Sequence, residues 1–328
     1  MADLRTDYLG LTLRNPVIVA SSGLTKNEEK VKACEDAGAG AVVLKSLFEE
    51  VITAKNFGNE YSMEDHPEVL EYIQSNAGFI YGSADYFRLI SNSKKNTSIP
   101  VIASINCVSN GGWTSVAREI ESSGADALEL NIFSVSTDSN ANALSVEKQY
   151  YDLVADIRAK VKIPIAVKIG KHFTSLPNFV VNLENAGANG IVLFNRFTEP
   201  EIDIETFSLK SHFSFSTSEE VYLPLRWISI LYRQVKGYLC ATTGVKSHED
   251  VIKLLLVGSS SVQIASLLYR QGLGEIETIL GGLNNWLDSK QFPDIKSIRG
   301  KLSFIKSSKP LAAHYLRAQF IEKISEVE

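Results

Sequence analysis

The chain has 328 residues, 45% of them hydrophobic and 22% charged, with a formal net charge of −5. That length and apolar fraction can fill one large core, and the slight acidity without a long basic run argues against a nucleic-acid partner. No stretch reaches the roughly 18 apolar residues of a membrane span, and the start MADLRTDYLGLTLRNP lacks a signal peptide's apolar segment.

The first short apolar run, PVIVASS at 16–22, ends at Ala20-Ser21. In EDAGAGAVVLKS (35–46) a helix-like stretch meets Gly38 and then a β-rich run that stops at Lys45-Ser46. A glycine suits the left-handed position that ends helices. The third run, IPVIASI (99–105), stops before Asn106. ESSGADALELNI (121–132) repeats the glycine punctuation at Gly124 and reaches Asn131, with Glu129 the only acid inside one of the expected strands. IPIAVKI (163–169) carries Lys168, and ENAGANGIVLFN (184–195) passes Gly187 to end at Asn195. YLCATT (238–243) leads into Thr243-Gly244, and LLVGSSSVQIAS (255–266) passes Gly258 to end at Ala265-Ser266.

Continuously apolar strands are buried on both faces, as parallel strands under helices are. Parallel pairing needs crossovers, and the helical stretches between the runs supply them. Eight such strands predict an α/β fold, a (β/α)8 TIM barrel, occupying residues 1–303 as one domain. An open doubly wound sheet is the alternative, but no G-x-G-x-x-G follows any run. Long excursions at 47–98, 134–148 and 196–222 follow strand ends on the face where barrel active sites form, so they read as lids or substrate walls. Residues 304–328 carry a helical pattern and read as a C-terminal helical extension.

The strand ends bring two lysines and several amides to the barrel mouth without a cluster of acids or histidines, so no metal site is expected. Of five histidines, His172 is the best placed for chemistry. Cys34, Cys107 and Cys240 lack metal-ligand spacing and read as small buried thiols in a cytoplasmic protein. Buried lysines need something anionic beside them. One possibility is a Schiff base, with Lys168 or Lys45 attacking a carbonyl. The other is an anionic cofactor whose reduced form the lysines stabilise. The small, hydroxylated turns at Thr243-Gly244 and Ala265-Ser266 favour the cofactor, since many barrels bind phosphate after these two strands. Ser247 to Asp250 reads as a capping box opening a helix beside them.

Asn15-Pro16 with Ala20-Ser21, Lys45-Ser46, Glu129-Leu130-Asn131, Val167-Lys168-Ile169, Asn195, Thr243-Gly244 and the tail Ile295 to Leu302 together resemble the dihydroorotate dehydrogenase family. The match runs in order over about residues 8–303. The resemblance implies a barrel that binds FMN and moves hydride from a dihydropyrimidine-like ring to it. It implies that Lys45 and Lys168 approach the flavin, with Ala20, Ser21 and Ser46 beside it. Asn131 would touch flavin or substrate, and the turns at Thr243-Gly244 and Ala265-Ser266 would hold the phosphate. Ser134 falls at the family's catalytic-base position, three residues after Asn131, and Asn76, Asn195 and Arg196 join Asn131 around the substrate. The implied partner molecule is a small, anionic, pyrimidine-like substrate, and the implied assembly is a homodimer.

The departures gather around the substrate. The family's Pro-Asn after the base is Val135-Ser136 here, and the loop at 75–81 has lost further asparagines unless its register shifts to restore Asn76. Arg196 stands where Ser or Thr is usual, free to grip a carboxylate or to pair with Glu199 or Glu201. Ser218 to Tyr222 replaces a glycine-rich stretch that contacts phosphate. Losing such amides can change discrimination by roughly 10⁴-fold. Absence of an N-terminal helical extension disfavours the quinone-linked branch, whereas a serine base is typical of it. No cysteine cluster for an iron–sulfur centre exists, so such a centre would come from a partner subunit. The rivals are a Schiff-base lyase or aldolase on the same barrel and a catalytically silent flavin-barrel binding protein.

Overall fold

The computed structural model describes residues 1–48, 82–107, 113–197, 200–211 and 214–304, together with Tyr315. It opens with β1 (Thr6–Tyr8), β2 (Leu11–Leu13), β3 (Val17–Val19), α1 (Glu28–Asp36), β4 (Ala41–Val43) and β5 (Leu47–Phe48). Then come α2 (Ser83–Asn96), β6 (Val101–Cys107), α3 (Trp113–Ser122), β7 (Ala127–Ile132), α4 (Ala143–Arg158), β8 (Ile165–Ile169), α5 (Leu176–Asn185) and β9 (Gly190–Leu193). The hairpin β10 (Pro200–Asp203) and β11 (Ser208–Ser211) precedes α6 (Tyr222–Leu231) and β12 (Tyr238–Thr242). The chain continues through α7 (His248–Val257), β13 (Ser261–Ile264), α8 (Ser266–Gln271) and α9 (Glu275–Ser289).

All eight apolar runs form strands, and they pair in parallel in the order β4-β3-β13-β12-β9-β8-β7-β6. Val42 and Val43 of β4 then pair with Val101 and Ile102 of β6, which closes the sheet into the expected (β/α)8 barrel. At the four punctuating glycines, Gly38, Gly124, Gly187 and Gly258, φ is 99°, 93°, 117° and 122°. These are left-handed conformations that a side chain would strain, and they turn each helix sharply into its strand.

Alternate strand residues point into the barrel, and the character of that interior changes with height. At the N-terminal end Ile18, Val43, Ile102, Ala127, Ala166, Val192 and Cys240 pack on Tyr8, Leu9 and Leu13. The last three belong to the β1–β2 hairpin, which plugs the floor and which the apolar-run pattern does not reveal. Its strands are three residues each, joined by Leu9 and Gly10 at φ 55° and 78°, a primed-type turn made without an Asn-Gly signal. One step higher the inward residues are polar: Ser104, Glu129 and Gln263 are all buried. Asn131 and Lys168, cross-strand partners, share that inward phase one step higher again.

The excursions hold more order than their composition suggests. Helix α4 begins at Ala143 inside the second excursion, because Asn142 caps it by accepting the Ser145 N–H at 3.0 Å. The third excursion contains the β10–β11 hairpin. In the first, β5 and α2 are described, whereas residues 49–81, Asn76 among them, lie outside the described residues. The same holds for the C-terminal extension apart from Phe304 and Tyr315, whose hydroxyl donates to Leu302 O at 2.9 Å. Among the described residues, no helix is long and apolar enough to cross a membrane.

Candidate active site

At the C-terminal end of the barrel, a cavity of about 140 Å3 gathers residues from five strand ends. Ala20 and Ser21 enter after β3, held against β13 by the Ala20 N–H bond to Ile264 O at 2.9 Å. Lys168 comes from β8, and Asn195 and Arg196 follow β9. Thr243 and Gly244 turn away from β12 at φ 79° and 80°, with the Thr243 hydroxyl donating to Phe194 O at 3.2 Å. A β-carbon at Gly244 would collide with the backbone nitrogen of Val221, so only glycine fits that turn. Ala265 and Ser266 complete the wall after β13. Nine residues picked out from the sequence therefore meet around one cavity.

Two contributors lie outside the strand-end pattern. Gln263 lines the cavity from inside β13, where one amide in an apolar run gives no warning of a site. Ser216 arrives from the third excursion, its N–H donating to Ser266 Oγ at 3.2 Å.

The floor is buried and polar. Lys168 is 9% exposed, and its Nζ lies 3.9 Å from the Oε1 of Glu129, which is 1% exposed. Gln263 Nε2 donates to Glu129 Oε2 at 2.5 Å. Burial pushes the Glu129 carboxyl up, opposed by the Lys168 charge and the Gln263 hydrogen bond. Three buried oxygens here, Glu129 Oε1, Asn131 Oδ1 and Gln263 Oε1, have no hydrogen-bond partner among the described residues. Such atoms are costly unless a bound molecule or solvent meets them.

The other candidates fall around this centre. Ser46 is buried, its Oγ 3.0 Å from Ser21 Oγ and 2.8 Å from Ser104 Oγ, so it reaches the cavity through Ser21. Lys45 is not among the cavity's lining residues; burial pushes its ammonium down, and repulsion from Lys26 adds to this. Ser134 lines a separate, neighbouring cavity of about 490 Å3 together with His172, and its N–H donates to Tyr150 Oη at 3.2 Å. Arg196 is not paired with Glu201. Its Nε meets Glu220 Oε1 at 2.9 Å and its remaining nitrogens bond Ser214, because the third excursion folds back over the mouth. Glu199 lies outside the described residues. The capping box forms only in part. Ser247 precedes α7 without a side-chain cap bond, while Asp250 accepts the Lys246 N–H at 3.0 Å.

Arg196 also lines a third cavity, of about 660 Å3, with Phe133, Phe194, Phe197, Lys171 and His172. Phe133 and Phe197 stack there with centroids 4.3 Å apart. This chamber adjoins the smaller cavity through Phe194, Asn195, Arg196 and Thr243, which line both.

These residues suit the flavin that the sequence resemblance implies. Small hydroxylated turns and a desolvated lysine line the same cavity, and the orphaned Asn131 oxygen belongs to the cross-strand partner of that lysine. Where the family has its glycine-rich stretch, Glu219 to Val221 forms a turn of 3-10 helix packed on Gly244.

Comparison with known proteins agrees with this geometry. The family model described as Dihydroorotate dehydrogenase matches residues 3–287. The catalytic subunit of dihydroorotate dehydrogenase B (NAD(+)) from Thermoplasma acidophilum is 26% identical over 313 residues, covering 92% of this chain and 99% of the relative. The protein of the same description from Methanocella arvoryzae is 27% identical over 285 residues, covering 86% and 92%. That from Brachyspira hyodysenteriae is 26% identical over 311 residues, covering 92% and 99%. With eight parallel strands closed around this mouth and a match spanning most of its length, the chain belongs to the dihydroorotate dehydrogenase family.

Proposed function

We propose that this chain is an FMN-dependent oxidoreductase that oxidises a CH–CH bond of dihydroorotate or a related anionic dihydropyrimidine-like ring. The observation that carries this is the convergence of Ser21, Lys168, Asn195, Thr243, Gly244 and Ser266 on one cavity above a buried polar floor, in a chain of this family. Bound FMN would supply the hydride acceptor. Thr243, Gly244, Ala265 and Ser266 would hold its phosphate, with Ala20, Ser21 and Ser46 beside the ring. Lys168, held in a site of low dielectric, would stabilise negative charge on the reduced ring, and Lys45 would support it from the strand end after β4.

Ser134 takes the proton from the activated ring carbon. A free serine is a poor base, so its loop must close over the substrate and exclude water. The Tyr150 hydrogen bond holds the backbone of that loop beside the mouth. Asn131, Asn195 and Asn76 orient the polar edge of the substrate. Arg196 binds the substrate carboxylate by exchanging it for Glu220, its partner in this structure.

The relatives' description as catalytic subunits of NAD(+) enzymes supports electron transfer to NAD(+) through a second kind of subunit. Cys34, Cys107 and Cys240 are all buried and none forms a disulfide, which suits a reducing cytoplasm. The β10–β11 hairpin exposes Ile202, Phe207 and Leu209, apolar surface that supports a homodimer.

The deciding experiment is the visible spectrum of freshly purified protein, followed by anaerobic addition of dihydroorotate. A yellow protein that bleaches is the expected result. Yellow without bleaching moves the search to other dihydro rings, or to a silent binding barrel if none reacts. A colourless protein that takes up no FMN but is trapped by borohydride with a carbonyl compound establishes the Schiff-base lyase instead.

A further inference from the structure

Beneath the mouth lies an ionisable group that the mechanism above leaves unused. Glu129 projects from β7 into the closed interior. Four groups face it from four elements: Lys168 of β8, Gln263 of β13, Cys240 of β12 and Tyr8 of β1. Among the described residues, only Lys168 brings it a positive charge. Burial pushes the Cys240 thiol up to about 12 and the Tyr8 phenol well above its usual range, so both stay neutral and cannot compensate an ionised carboxylate.

The pairing with Lys168 is electrostatic and not a hydrogen bond. At 3.9 Å the Nζ–Oε1 separation exceeds hydrogen-bond range, and Oε1 has no hydrogen-bond partner among the described residues. Lys168 also lines the cavity above. Its single charge therefore has two claimants, Glu129 from below and any anion seated at the mouth. A buried carboxylate that loses its share of that charge becomes expensive, and taking up a proton is its cheapest response.

We propose that Glu129 is a positioning residue acting through Lys168: it balances the lysine while the group above is neutral and binds a proton when that group becomes anionic. The exchange moves one proton from solvent to Glu129 Oε1 on reduction and returns it on reoxidation, with electrons supplied by the dihydro substrate. Gln263 suits the role because its Nε2–H bonds Oε2, leaving Oε1 free to receive the proton. Burial has already pushed the carboxyl up, which brings that exchange closer to neutral pH. The inference rests on the flavin reading of the same cavity.

The test is redox-difference infrared spectroscopy on FMN-loaded wild-type protein, reduced with dithionite. A carbonyl band of a protonated, buried carboxylic acid should appear on reduction and shift when glutamate is labelled with 13C. Glu129→Gln keeps the shape and an acceptor for Gln263; it should abolish the band. Its flavin midpoint potential should lie above wild type at high pH and converge with it at low pH, where both side chains are neutral. A yellow wild-type protein with no such band overturns the proposal, as do identical potential–pH profiles for the two proteins. A protein that binds no flavin overturns the reading of the cavity and this inference with it, so the two failures are told apart. The infrared arm needs no substitution and stands if the variant does not fold.

Discussion

Gly244 shows how narrowly a single residue can be specified. Its φ of 80° and the backbone of Val221 leave no room for a side chain. Gly244→Ala should therefore displace the turn after β12 and weaken FMN binding at least tenfold by fluorescence titration, while the far-ultraviolet circular dichroism stays that of a folded barrel. Ser134 makes the complementary case, because it lines a different cavity from the proposed phosphate turns. Ser134→Ala should leave FMN affinity unchanged and slow anaerobic flavin reduction by roughly 10²–10⁴-fold, the usual contribution of a general base. Unchanged bleaching would remove Ser134 from the mechanism. The two residues also differ in how far the sequence exposed them. Lys168, Asn195 and Gly244 stand at the ends of apolar runs, so strand geometry alone points them at the mouth. Ser134 sits in a polar loop and was found only through family resemblance, and Gln263 was missed because it interrupts an apolar strand from within.

At the scale of elements, Glu35 ties the end of α1 to the segment that enters β6. Its Oε1 accepts from Ser98 N at 2.7 Å and Ser98 Oγ at 2.5 Å, and its Oε2 from Lys32 Nζ at 2.8 Å. Burial alone would push this carboxyl up, but the Lys32 and Ser98 bonds outweigh it and hold the value at about 2, from an ordinary 4.5. A depressed acid stabilises the fold above its unfolded value and loses that contribution as pH falls through its folded one. Glu35→Gln should thus cost on the order of 2 kcal/mol near neutral pH. In urea melts the gap to wild type should shrink from about pH 4.5 and close near pH 2; a gap that stays constant with pH would show that packing, not charge, makes the joint. The helix-to-strand joints were legible because three of them and Gly38 beside Glu35 share one punctuation. The two hairpins were not: β1–β2 is built from three-residue strands, and β10–β11 has exposed apolar residues where a half-buried strand would alternate.

For the whole molecule, the count of runs was enough to predict closure, since eight parallel strands with crossovers have few other arrangements. What a count cannot convey is that the barrel fills unevenly, apolar around Tyr8 and Cys240 and polar around Glu129 and Asn131. That gradient arises only when strands distant in sequence are brought together, as Gln263 is with Glu129. It also couples the site to the fold. The cavity draws on β3 near the start of the chain and β13 near its end, so an unfolded chain has no such site and FMN should bind the native state alone. At a hundred times its dissociation constant, a ligand of that kind adds about 2.7 kcal/mol. At roughly 2 °C per kcal/mol for a chain of this size, the melting temperature should rise by about 5 °C and keep rising with the logarithm of FMN concentration. Gly244→Ala, binding at least tenfold more weakly, should lose about half of that increment or more, while inorganic phosphate, lacking the ring, gives only a small one. If wild type and Gly244→Ala gained equally from FMN, the flavin would sit somewhere other than the turns after β12 and β13.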